Sequence, residues 1–116
     1  MPPGAVAWSA AHGSATASGH RWTEPGQVLF RDLVMAGQLT RTGEGCSSVW
    51  VRFTFDFFPA PASKLAQVCG SGSVDIDLRQ SLMPTTTGRL TVCEGTETAT
   101  DCAPWQTITS WPVNRD

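Results

Sequence analysis

Few side chains in this chain are capable of chemistry, and their spacing limits each of them. His12 and His20 are the only imidazoles. A serine or threonine nucleophile needs such a base within hydrogen-bond reach. Both histidines lie in or beside a leading segment rich in Ala, Gly and Ser, and no G-x-S-x-G elbow is present. Asp75 and Asp77 would share one face of a strand, and paired carboxylates can flank a glycosidic bond. A solvated strand face accounts for the same two residues. Glu94, Glu97 and Asp101 make one loop acidic, and carboxylates with nearby carbonyls are the ligands calcium takes. Their spacing is not that of an EF-hand, and a solvated hairpin tip explains them as well. The chain therefore reads as non-enzymatic, with no cofactor and no metal.

Four cysteines, Cys46, Cys69, Cys93 and Cys102, predict two disulfides with three connectivities open. Zinc would favour C-x2-C spacing, which is absent. The local pairing is preferred, Cys46 with Cys69 and Cys93 with Cys102. Between the latter two, Glu94–Asp101 is a polar run with the character of a hairpin loop, whose ends should meet. Disulfides belong to oxidising compartments, so the protein is expected to be secreted.

Five tryptophans, Trp8, Trp22, Trp50, Trp105 and Trp111, are many for this length. An exposed indole can stack on a sugar or anchor a partner, and about two of the five are expected in the core.

The elements that must position these groups are strands. In Val49–Phe58 the residues Val49, Val51, Phe53, Phe55 and Phe57 fall on one face, and this period of two predicts a half-buried strand. Pro59 and Pro61 are expected to end it. Ser73–Arg79 alternates in the same way, with Val74, Ile76 and Leu78 inward, and Arg89–Glu94 places Leu90 and Val92 inward. Shorter strands are expected over Gln27–Met35, Gln38–Thr42, Leu65–Cys69 and Trp105–Val113. Gly, Pro, Ser and Thr punctuate these segments, and none has a helical period. About seven short strands with such turns predict an all-β fold, an antiparallel sandwich over residues 21–116, with closure into a barrel as the alternative.

Residues 1–20 read as a flexible, extended N-terminal arm. Met1–Gly19 carries no charged side chain and no continuous apolar run, so it is not a complete signal peptide. Ala5-Val6-Ala7 and Ala15-Thr16-Ala17 fit a small-x-small cleavage pattern, and a signal sequence removed ahead of the chain is expected. Such an arm can add a strand to a partner. Val6, Ala7, Trp8 and His12, with Trp22 at the start of the body, are the candidate partner-binding residues. The exposed edges of an open sandwich offer a second route.

Composition narrows the classes further. The chain has 116 residues, a net charge of −2, 41% hydrophobic and 16% charged residues, against about 25% charged in an average domain. This fits one domain. It carries no basic footprint for nucleic acid, and no apolar run approaches the roughly 20 residues of a membrane span. Lys64 is the only lysine among eight basic residues. Arg over Lys with abundant Ala and Gly is the bias of GC-rich coding, which points to an actinobacterial source.

The arm Ala5–Gly19, the run Val49–Phe58, and the two loop sides Arg89-Leu90-Thr91-Val92-Cys93 and Asp101-Cys102-Ala103-Pro104-Trp105 together resemble small secreted domains of actinobacteria. Among these the chain looks like the adaptor subunits of streptomycete umbrella toxin particles. The resemblance implies a non-enzymatic bridge between secreted proteins. The arm would insert into a lectin subunit with a protease-like fold, and the sandwich would grip a repeat of a large toxin polypeptide by strand complementation. Two other readings are a carbohydrate- or cell-wall-binding module using exposed Trp, and an inhibitor of a secreted enzyme presenting Glu94–Asp101.

Overall fold

The computed structural model describes residues 4–26 and 30–111, and no helix forms among them. The nine strands are β1 (Val6–His12), β2 (Ala15–Pro25), β3 (Arg31–Arg41), β4 (Cys46–Phe55), β5 (Phe58–Pro59), β6 (Ser63–Cys69), β7 (Gly72–Leu82), β8 (Thr87–Glu94) and β9 (Gln106–Thr107). They build two antiparallel sheets packed face to face. One has the order β1-β2-β3-β7; the other has β5-β4-β8-β9, with β6 also paired to β4.

The first 20 residues are where the structure departs most from the sequence reading. Residues 6–20 are not a free arm. Val6–His12 pairs along its whole length with β2, which pairs in turn with β3. The hairpin closes through Gly13 and Ser14, where Gly13 has φ of 60° and supplies the left-handed residue that a tight turn asks for. Alternation is present here, but it is written in small side chains. Ala15 and Ala17 are buried while Thr16 and Ser18 are exposed.

Trp8 explains why the small residues are needed. It is 6% exposed and belongs to the core. The register places it in a row with Gly19, Gly37 and Ile76. A Cβ on Gly37 would approach Trp8 Cζ2 to 2.8 Å and would also collide with the carbonyl oxygen of Ser18. Two adjacent glycines thus open the slot that the indole fills.

Facing this sheet, Val49, Val51, Phe53, Leu90, Val92 and Ile108 pack against Leu33, Met35, Leu39 and Ile76. Of the expected inward residues, Val49, Val51, Phe53, Ile76, Leu90 and Val92 are buried, while Phe55, Val74 and Leu78 are partly buried and pack against them. The alternation fails at Phe57, because β4 ends at Phe55 and turns back. Gln38–Thr42 is the end of a continuous β3, not a separate strand. The last strand shrinks to Gln106–Thr107. Residues 27–29 and 112–116, which the sequence reading placed partly in strands, lie outside the described residues.

Both disulfides have the local connectivity. Cys46–Cys69 joins directly opposed residues of β4 and β6, and Cys93–Cys102 spans an isolated bridge. Gly37→Ala is expected to lower stability by about 2–3 kcal/mol through overpacking, or roughly 10 °C in the thermal midpoint. Thermal unfolding checks this, and an unchanged midpoint would mean that Trp8 has room to move.

Candidate functional site

The five residues singled out for partner binding do not form one surface. Val6, Trp8 and His12 share the inner face of β1, whereas Ala7 lies on its outer face. Trp8 is core, so it is not an exposed anchor. His12 is half-buried, and its Nε2 lies 3.0 Å from Oδ1 of Asp101, which ties the first hairpin to the loop closed by Cys93 and Cys102. Trp22 is half-buried on the outer face of β2 and donates its indole N–H to Glu24 Oε2 at 2.9 Å.

Around Trp22 the outer face is a polar cluster. Arg79 donates to Asp32 Oδ2 at 2.8 Å and also bonds Glu24. The Trp22 indole, and after it Arg79, hold the Glu24 carboxyl below its ordinary value. Asp32 and then Glu24 raise the Arg79 guanidinium.

The acidic loop does not converge. Glu94 turns to Arg41 at 3.4 Å and Asp101 turns to His12. Among the described residues no three His, Cys, Asp or Glu side chains gather.

β1 is an edge strand. Gln106 Nε2 donates to the carbonyl of Ser9 at 2.9 Å, so the backbone of Ser9 points away from β2. In an antiparallel ladder successive residues bond to opposite sides, so Ala7 and Ala11 also direct their backbone groups outward. Val6–His12 contains no Asp, Glu, Lys, Arg or Pro, the residues that usually blunt an edge. A shallow depression of about 400 Å³, lined by Ala7, Trp8, Ser9, Ser18, Gly19 and His20, lies beside it.

The second surface was missed at the sequence level. The large hydrophobic residues exposed among the described residues are Phe30, Phe57, Phe58, Met83 and Trp111. The strand register brings all of them to one end of the sandwich. Arg31 pairs with Leu82 there, Thr54 pairs with Pro59 and Thr87, and the Ile108 amide bonds the Gly88 carbonyl on the way to Trp111. A cleft of about 410 Å³, lined by Thr23, Arg31, Leu82, Met83, Pro84 and Trp111, opens at this end.

Phe57 and Phe58, at 82% and 76% exposed, are the most prominent members. Phe57 is the second residue of a two-residue turn in which Asp56 has φ of 50° and Phe57 has φ of 69°, and Phe58 follows it as the first residue of β5, paired with Phe55. Such a turn favours Asn-Gly or Asp-Gly. Asp suits the first position, but a phenylalanine in the left-handed region costs roughly 1–2 kcal/mol. The available signal was Asp-Phe between Phe55 and Pro59, masked because the alternation ran through it.

Two measurements follow. Phe57→Gly creates the favoured Asp-Gly turn and is expected to raise stability by about 1 kcal/mol, some 4–6 °C in midpoint; a destabilised variant would mean that Phe57 is held by contacts. The stabilisation from Glu24 should be complete above its ordinary value of 4.5 and be lost as pH falls through its lowered one. Wild type and Glu24→Gln should therefore differ in midpoint at neutral pH and converge in acid. No family model, curated protein or solved structure matches the chain.

Proposed function

We propose that the chain is a secreted, non-enzymatic adaptor that binds another secreted protein by accepting an extended segment along β1. The observation that carries this reading is the uncharged, proline-free edge of Val6–His12, with the outward backbone groups of Ala7 and Ala11. Added strands gain affinity from main-chain hydrogen bonds and specificity from alternate side chains. The depression beside β1 offers room for such side chains. Two disulfides support the extracellular assignment, and no helix among the described residues is long and apolar enough to cross a membrane. The resemblance to umbrella-particle adaptors supports a role inside a secreted toxin particle, with a lectin subunit and a large toxin polypeptide as partners.

Deleting the first 19 residues would not test this, because it removes Trp8 from the core together with all of β1 and the first five residues of β2. Ala11→Pro is the suitable variant. It removes an outward N–H and leaves the β1–β2 bonds in place. Partners captured from culture supernatant are identified by mass spectrometry, and the complex is rebuilt from purified components. Ala11→Pro is expected to weaken binding at least tenfold while the thermal midpoint moves by only a few degrees. Full affinity in a folded Ala11→Pro variant would reject the edge as the docking site.

A further inference from the structure

We infer that the apolar end of the sandwich is a docking surface for an anionic lipid bilayer, independent of the β1 edge. Three observations meet there. The first is the gathering of exposed apolar side chains on separate connections: Phe30 after β2, Phe57 and Phe58 at the β4–β5 turn, Met83 after β7 and Trp111 after β9. Phe57 and Phe58 are the most exposed of these residues, so their rings are free to enter a soft medium. Aromatic side chains are favoured at the membrane interface.

The second is charge. Arg52 and Arg89 are exposed and directly opposite one another on β4 and β8. Like charges at such a pair are unfavourable; the Arg52 guanidinium stacks 5.2 Å from the Trp105 ring centroid, and an anion shared between the two arginines would offset the repulsion that remains. Neither these two nor Arg31 is in an ion pair among the described residues. The acids Glu44, Glu94, Glu97 and Asp101 collect at the opposite end, beside the two disulfides. The molecule is 45 Å long, so at physiological salt those acids lie several Debye lengths, of about 8 Å each, from a surface touching the apolar end. At the apolar end itself Glu24 and Asp32 are paired with Arg79, and the turn carries the exposed Asp56, so among the described residues Arg31, Arg52 and Arg89 outnumber one carboxylate outside an ion pair there.

The third is depth. At about 3.3 Å per residue, the Arg52–Arg89 pair lies roughly 10 Å behind the Phe55–Phe58 pair. Apolar groups of peripheral proteins enter about 5–10 Å into the headgroup and acyl boundary. When the turn is immersed, the two guanidiniums are level with the lipid phosphates, which match their planar donors.

The test uses the full chain and vesicles of phosphatidylcholine, alone or with about a quarter phosphatidylglycerol, the anionic component. Co-sedimentation reports binding, and the difference in tryptophan emission between wild type and Trp111→Phe isolates the signal of Trp111 from the other four indoles. Binding is expected on the anionic vesicles, weakened by salt, with a blue shift in the indole emission. Phe57→Ser with Phe58→Ser should reduce partitioning at least tenfold. Arg52→Gln and Arg89→Gln should each reduce it about fivefold. Phe57→Gly should also bind more weakly although its turn is relaxed, which separates docking from folding. Ala11→Pro should bind vesicles like wild type, so the two surfaces fail separately. No binding to anionic vesicles, or equal binding by the Phe57/Phe58 double variant, would overturn the inference. So would self-association of the free chain that the same double variant abolishes, which would make this end an interface between two copies.

Discussion

Two buried arginines hold the sheets in their relation to one another. Arg21 on β2 and Arg41 on β3 both occupy inner-face positions, at 7% and 4% exposure, and each reaches across to the opposite sheet. Arg41 closes the polar end: it donates to Ser47 Oγ and the Glu44 carbonyl, and pairs with Glu94. Arg21 serves the apolar half by a different chemistry. It donates to the carbonyls of Ile108 and Ser110 at 3.1 and 2.7 Å, and its guanidinium stacks 4.5 Å from the Trp111 ring centroid. No carboxylate is in an ion pair with it among the described residues. Burial accordingly lowers its pKa. A guanidinium tolerates such a site because it is weakly hydrated and can be satisfied by carbonyls and an aromatic face.

The position of Trp111 depends on that contact. The final segment after β9 has only two strand residues to hold it, so Arg21 and the Gly88–Thr109 hydrogen bond fix where the indole goes. An arginine inside the sandwich thereby shapes the apolar surface outside it. The same end carries the left-handed Phe57. Glycine would relieve the strain at that position, so the phenylalanine trades turn energy for exposed aromatic surface.

How much of this was legible followed side-chain contrast. Val49, Val51 and Phe53 alternate with polar neighbours, as do Val74, Ile76 and Leu78, and those strands stood out. The local disulfides followed from a polar loop between two cysteines. The first hairpin was hidden because alanine against serine or threonine gives little contrast, and its burial depends on Trp8 lying over Gly19 and Gly37, partners from two other positions in the chain. The Gly13-Ser14 pair was the readable clue to its turn. The apolar end was hidden for a related reason. Phe30, Phe57, Met83 and Trp111 are far apart in sequence and come to the same end only through the register of two sheets. The unbroken alternation through Phe57 even suggested burial for the most exposed of them.

The placement of the cross-links adds a division between the two ends. Cys46–Cys69 and Cys93–Cys102 both lie toward the polar end, where the chain crosses between sheets through Thr42–Gly45 and through Gly70 and Ser71. Glycines at 43, 45 and 70 take positive φ there, so flexible residues and covalent staples coincide. The apolar end has no disulfide among the described residues. It is held by the Arg21 contacts and by the Met83–Thr86 turn, closed by two hydrogen bonds. Local opening is easiest where noncovalent contacts alone resist it. The covalent staples thus secure the polar end, and the apolar end rests on noncovalent contacts among the described residues. The β1 edge lies between these regimes, secured at one end by His12 against the disulfide-closed loop and at its middle by Gln106. A strand added along it would meet a backbone already straightened by β2, so the ordering cost falls mainly on the incoming segment.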